Sequence, residues 1–149
     1  MFGHRGAFGE NFSTIGWTEK DVHVGDIMRF GSALLQVSQG RQPCWKLNAR
    51  FSRNDMARLV QKTGRTGWYY RVLETGRADL SARLELVERK QPDWPLTRLI
   101  RLLYADTDRY AELADMSRLD ELAEGWRKLA RRRVESRQVE SWTSRLDGA

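Results

Sequence analysis

The apolar positions of the chain follow two different rules, and the change falls near residue 91. Upstream, apolar residues come in short runs. Residues 24–30 and 33–39 are two such runs around Gly31-Ser32, a pair suited to a type II′ turn, and together they predict a β-hairpin. Residues 68–73 are aromatic and rich in strand formers, and residues 82–87 set apolar side chains in a polar context; both predict strands. Between the hairpin and the third strand, Met56, Leu59 and Val60 have helical spacing, behind Ser52 and Asp55 at the separation of a capping box and ahead of a Thr63-Gly64 stop. One short helix is expected there. Residues 1–16 carry Gly3, Gly6, Gly9 and Gly16 with little periodicity and predict an extended loop with tight turns.

Gln91-Pro92-Asp93-Trp94-Pro95 ends the β pattern, because neither proline can donate to a ladder, and the following apolar residues recur at helical intervals. Leu96, Leu99, Ile100 and Leu103 mark one helix. Tyr110, Leu113 and Ala114 mark a second after the candidate cap Thr107. Leu119, Leu122, Ala123, Trp126, Leu129 and Ala130 mark a third after Ser117. None is long enough to be stable alone, so their stripes must be buried against one another or against the β part. The fold class expected is α+β. A mostly antiparallel β domain with one short helix occupies residues 1–91, and a small three-helix domain occupies residues 92–149.

Length and charge add bounds to this picture. At 149 residues the chain has room for one core, or a core and a small appendage. Its formal net charge of +6 would attract anions, nucleic acid included, and Arg127, Lys128, Arg131, Arg132, Arg133 and Arg137 supply much of the basic total. One cysteine excludes an internal disulfide framework, and with two histidines it excludes a Cys/His structural zinc site built by this chain alone. A reducing, cytoplasmic setting is expected. Residues 1–10 hold no apolar leader-like run, and no stretch approaches the roughly 18 apolar residues of a membrane span, so no membrane association is expected.

The candidate chemistry lies in Ser38-Gln39-Gly40-Arg41-Gln42-Pro43-Cys44-Trp45-Lys46-Leu47-Asn48. Arg41 and Lys46 flank Cys44, and nearby positive charge favours thiolate over thiol, which makes sulfur a nucleophile or a soft metal ligand. Pro43 restricts the residue before it and holds the cysteine on a loop. A lone cysteine is also commonly a small buried apolar residue, and spacing alone leaves that choice open.

Three motifs carry a resemblance. Gly6-Ala7-Phe8-Gly9-Glu10-Asn11-Phe12-Ser13-Thr14-Ile15-Gly16 resembles the GxFGENxxTxG loop of the MOSC family, named for the C-terminal part of molybdenum cofactor sulfurase. The Cys44 segment resembles that family's SQxRxPCxKL stretch, and residues 64–73 resemble the GRTGWYYRVL stretch of its stand-alone bacterial members, which also carry a small three-helix extension. The resemblance implies a partial MOSC β-barrel in which Cys44 coordinates the molybdenum of a molybdenum cofactor (molybdopterin) or carries sulfur. It implies reduction of N-hydroxylated small molecules, with electrons from a donor protein. By the same resemblance Glu10 and Asn11 line the cofactor pocket, while Arg41 and Lys46 meet its phosphate or pterin by charge-assisted hydrogen bonds. Each has a plainer role open to it: Asn11 closing a turn, Glu10 capping backbone donors, Arg41 and Lys46 as solvated charges.

Members of the family carry further strands ahead of the glycine-rich loop, with an aspartate and a His-Gly-Gly segment, whereas residues 1–5 here lead directly into it. A partial barrel exposes unpaired edges, so a homo-oligomer is expected. An inactive scaffold is the alternative within the family. A nucleic-acid-binding protein is the alternative outside it, drawn from the charge, the arginines of residues 127–137 and six tryptophans. Against that reading, Trp126 falls on the apolar stripe of the third helix, with Arg127, Lys128 and Arg131 on the opposite, solvated face.

Overall fold

The sheet grows from the Gly31-Ser32 turn. A computed structural model describes residues 6–148, so residues 1–5 of the expected N-terminal loop lie outside the described residues. Strands β1 (Ile27–Phe30) and β2 (Ala33–Gly40) pair antiparallel with Phe30 opposite Ala33. Gly31 has φ 60° and Ser32 does not have positive φ, as a type II′ turn requires. A Cβ at Gly31 would lie 2.2 Å from the Arg77 carbonyl oxygen, a second reason for glycine there. The first strand starts later than residue 24 because Gly25, at φ 80°, turns the chain. The Val24 N–H donates to the Trp94 carbonyl and the Gly25 N–H to the Val37 carbonyl.

Strand β3 (Trp68–Glu74) pairs with β2, and β4 (Leu84–Glu88) with β1, giving the order β3-β2-β1-β4. All three pairings are antiparallel. Among the described residues the sheet is open and is not a closed barrel, in keeping with the partial barrel expected. The register puts Leu86, Met28, Leu35 and Val72 in one row across the four strands. Its centre is in the core, with Met28 fully buried, while Val72 at the edge is 57% exposed.

Two helices follow Cys44 where one was expected: α1 (Lys46–Phe51) and α2 (Met56–Thr63). The expected capping box does not form. Ser52 ends α1 in the left-handed region, φ 48°, with its N–H on the Ala49 carbonyl, and the Asp55 carboxylate is held by Arg53. The stop is as read, with Gly64 left-handed at φ 69°. Leu47, Met56 and Val60 pack with Phe8 and Phe51 as a small core of their own.

The C-terminal part contains α3 (Leu96–Tyr104), α4 (Tyr110–Met116) and α5 (Glu124–Ser136), and a fourth helix, α6 (Thr143–Asp147), that the periodicity did not predict. Neither expected cap is used. Arg109 precedes α4, and Ser117 closes α4 with its hydroxyl on the Ala114 carbonyl. Leu119 and Leu122 lie in the turn before α5, and the Ala123 N–H donates to the Ser38 carbonyl of β2. That bond ties the start of α5 to the sheet. The main core continues the connection, since Val22, Val24 and Val37 pack with Leu99, Leu103 and Trp126. Burying each leucine contributes roughly 1.5–3 kcal/mol, stabilisation that helices this short lack in isolation. No helix among the described residues is long and apolar enough to cross a membrane.

Candidate functional site

The glycine-rich loop meets the cysteine segment through the side chain of Arg41. Strand β2 ends at Gly40, where a Cβ would lie 3.2 Å from the Trp126 ring, so the helical part approaches closely just where the cysteine loop begins. The Arg41 N–H then donates to the Gly67 carbonyl at 2.8 Å. Pro43 is buried and Cys44 is half-buried with a free thiol, which makes no hydrogen bond to the described residues. Its carbonyl accepts the Leu47 N–H at the start of α1.

Residues 6–9 form a tight turn, with the Gly9 N–H on the Gly6 carbonyl and both glycines at positive φ. Glu10 holds it from one side, accepting the Gly6 N–H at 2.6 Å and the Phe8 N–H at 2.9 Å. Two arginines hold the other side. Arg41 Nη1 donates to the Phe8 carbonyl at 2.7 Å, Arg50 Nε to the Ala7 carbonyl, and Arg50 Nη2 to the Gly6 carbonyl at 3.0 Å. Burial opposes ionisation of Glu10, but the backbone N–H groups and the Arg41 charge outweigh it and hold the carboxyl below its usual range. Glu10 and Arg41 thus meet across this turn, joined by Arg50, which no motif in the sequence distinguished from any other surface arginine. Asn11 and Lys46 are exposed, and neither makes a side-chain hydrogen bond to the described residues.

The basic segment of α5 is not one solvated face. Arg133 is 1% exposed, and Arg127 is partly covered and paired with Glu124 at 2.6 Å and Asp120 at 3.3 Å. Arg137 lies over the Tyr110 ring at 4.0 Å. Trp94 and Trp126 are buried, and Trp17, Trp68 and Trp142 pack against the same core. Several of the features that suggested nucleic acid therefore have local structural partners, while Arg131 and Arg132 remain exposed. A separate cleft of about 760 Å³ opens between α2, α3 and α6, with Ile100 and Tyr104 on its floor and Lys20 and Lys62 at its rim. None of Cys44, Arg41, Lys46, Glu10 and Asn11 borders it. Among the described residues no group of three His, Cys, Asp or Glu could hold a bare metal ion.

The MOSC domain profile matches residues 4–88, which contain all five of these residues. The chain belongs to the MOSC family. Beyond the MOSC segment, a YiiM-like 3-alpha helix domain matches residues 94–137, covering α3, α4 and α5. Protein YiiM of Escherichia coli is 41% identical over 145 residues, which are 95% of this chain and 63% of that protein. The crystal structure of YiiM from Escherichia coli superposes with a TM-score of 0.84 at 40% identity, covering 93% of this chain and 69% of that one. A protein named Reductase from Gibberella moniliformis is 37% identical over 115 residues, 76% of this chain but 20% of its own length. This MOSC chain therefore spans a little under two-thirds of YiiM and a small part of the fungal reductase.

Proposed function

We propose that this chain is a molybdenum-cofactor-binding module that reduces N-hydroxylated small molecules, with Cys44 as its protein ligand to molybdenum. The observation that supports it is a free, half-buried thiol on a loop held between β2 and α1 of a MOSC domain. The donor set fits such a group. A metal that brings sulfur ligands on its own pterin needs one soft protein thiolate, not a cluster of three protein ligands. Lys46, exposed two residues on and without a side-chain partner among the described residues, is free to meet the cofactor's phosphate. Arg41 and Glu10 act at one remove in this reading, by fixing the 6–9 turn beside the cysteine loop, and Asn11 stands exposed at the end of that turn. The cofactor, when bound, supplies oxygen-atom and electron transfer, and the protein supplies position and exclusion of water. The fungal relative named Reductase supports reduction over sulfur carriage by the same thiol. A separate protein in a reducing, cytoplasmic setting would deliver the electrons.

Molybdenum content, measured by elemental analysis on protein from a host that makes the cofactor, tests this reading. Near-stoichiometric metal is expected in the unaltered chain and none in Cys44→Ser. Equal metal in both would remove Cys44 as ligand. Metal in neither would favour an inactive scaffold, a reading supported by the commitment of Glu10 and Arg41 to the 6–9 turn.

The open sheet supports a second expectation. Among the described residues the edge strands β3 and β4 expose Val72, Leu73, Leu86 and Val87 beside edges that pair with no further strand, an arrangement that favours pairing with another copy. Size-exclusion chromatography with light scattering should show a homo-oligomer at micromolar concentration; a single monomeric peak would count against it.

A further inference from the structure

Helix α6 lies beyond both matched family segments, which end at residues 88 and 137, and its five residues are too few to hold a helix on their own. What holds it is the cysteine loop. Arg145 donates from Nε to the Pro43 carbonyl at 3.2 Å and from Nη2 to the Gln42 carbonyl at 3.3 Å. The Arg145 carbonyl accepts the Trp45 N–H at 2.8 Å. Asn48 Nδ2 donates to the Leu146 carbonyl at 2.9 Å, while its Oδ1 accepts the Ala57 N–H at 2.8 Å and passes the connection to α2. Asp147 receives Arg58 Nε at 3.0 Å and Nη2 at 2.5 Å. Leu146 is a buried peg beneath the helix, and Gly148, at φ 80°, passes the Trp45 ring so closely that a Cβ there would lie 3.0 Å from its Cγ.

These contacts fall on both sides of Cys44, at Gln42 and Pro43 before it and at Trp45 and Asn48 after it. The loop belongs neither to β2 nor, until Lys46, to α1, so it has no ladder to fix it. For the Gln42 and Pro43 carbonyls the donor among the described residues is Arg145. Without it, two carbonyls next to the cysteine are left to solvent and the loop gains freedom.

We propose that Arg145 is a positioning residue for Cys44: mounted on α6, it fixes the backbone on both sides of the cysteine and so sets how the thiol is presented. The proposal rests on the reading of Cys44 as the functional thiol, but its test needs no cofactor. Cys44 is the one cysteine of the chain, so alkylation reports on it alone.

The experiment is the rate of Cys44 alkylation by iodoacetamide, followed by mass spectrometry on the metal-free full-length chain, with the thermal midpoint of each variant measured alongside. Arg145→Ala should raise the rate about tenfold, the effect of removing two backbone-directed hydrogen bonds from a locally opening loop. Arg145→Lys, which keeps a charged donor, should restore part of the protection, and Asp147→Asn, which loosens the far end of α6, should give a smaller rise. Arg98→Ala is the control. It breaks the Arg98–Glu112 pair between α3 and α4, away from the loop, and should leave alkylation unchanged. A wild-type rate in a folded Arg145→Ala overturns the proposal, as does equal acceleration in Arg98→Ala at a matched loss of thermal midpoint. Metal content of cofactor-loaded preparations keeps the two ideas apart. Faster alkylation of Arg145→Ala supports the positioning role even if no preparation takes up molybdenum, and an unchanged rate overturns it even if all do.

Discussion

Asp26→Ala is expected to lower folding free energy by about 3–5 kcal/mol, the range for removing one partner of a buried ion pair. Asp26 is completely buried, yet its carboxylate has all its partners. Its Oδ2 accepts the His23 N–H and Arg89 Nη2, each at 2.9 Å, and its Oδ1 accepts Arg89 Nε at 2.9 Å. Arg89 also donates to the Asp21 carbonyl at 2.7 Å, so one guanidinium fastens the chain after β4 to the segment that leads into β1. The main chain of Asp26 takes part too, with the Val37 N–H donating to its carbonyl at 2.9 Å. Alanine would leave the His23 N–H and a partly covered guanidinium without their acceptor, and the penalty for unpaired groups exceeds the net value of the bonds when made. Asn at this position keeps the shape and one acceptor oxygen, so its loss should be the smaller of the two. Urea unfolding with an unchanged m-value is the measurement. A loss below about 1 kcal/mol for Asp26→Ala, the level of an exposed pair, would show that the network is dispensable.

The second large effect is expected at Arg133. Its guanidinium donates from Nε and Nη2 to the two oxygens of Glu140, at 3.0 and 2.6 Å, and from Nη1 to the Leu102 carbonyl at 3.2 Å. The charge thus sits inside, sealed by the segment that leads from α5 to α6. Arg133→Ala removes the packed stem and all three bonds, and should cost about 3 kcal/mol. For a chain of this size that is a fall of roughly 6–12 °C in thermal midpoint. Arg133→Met keeps most of the volume, and Glu140, partly exposed, can turn to water, so it should retain more of the stability.

The same pair predicts a pH dependence. Burial would raise the Glu140 carboxyl, but the hydrogen bonds and charge of Arg133, with help from its own backbone N–H and Arg132, bring it below the usual 4.5. A carboxyl whose folded value is depressed stabilises the fold above the unfolded value, and that contribution is lost as pH falls through the folded one. Thermal midpoints should therefore drop more steeply below about pH 4.5 in the unaltered chain than in Arg133→Met. Parallel curves for the two proteins would show that Glu140 is not linked to folding.

Much of this was legible along the chain wherever the cause is local. Gly31-Ser32 specifies its turn through backbone conformation alone, Gly64 ends α2 for the same reason, and Leu96, Leu99, Ile100 and Leu103 make one stripe however α3 is later packed. The capping box at Ser52 and Asp55 misled because the same short polar residues serve either end of a helix, and the left-handed conformation of Ser52 settled the matter for α1. Ser117 was misread in the same way. Of the candidate site, the cysteine segment and the glycine-rich loop were found as motifs. The direction in which Arg41 and Glu10 turn their polar groups was not, because their partners are main-chain atoms of other residues of the 6–9 turn.

The sequence by itself determined the order of the four strands and of helices α2 to α5, the hairpin, the change from strand to helix at the prolines and the family to which the chain belongs. These depend on contacts within a few residues or on motifs that are contiguous. Only the tertiary structure decided that Arg133 turns inward to Glu140, that Arg50 joins Arg41 on the 6–9 turn and that α6 reaches back to the cysteine loop. Each of these depends on hydrogen bonds or burial between parts of the chain that lie apart in sequence. Arg145 and Pro43 meet across a separation of 102 residues, and a polar side chain carries no local mark of so distant a partner.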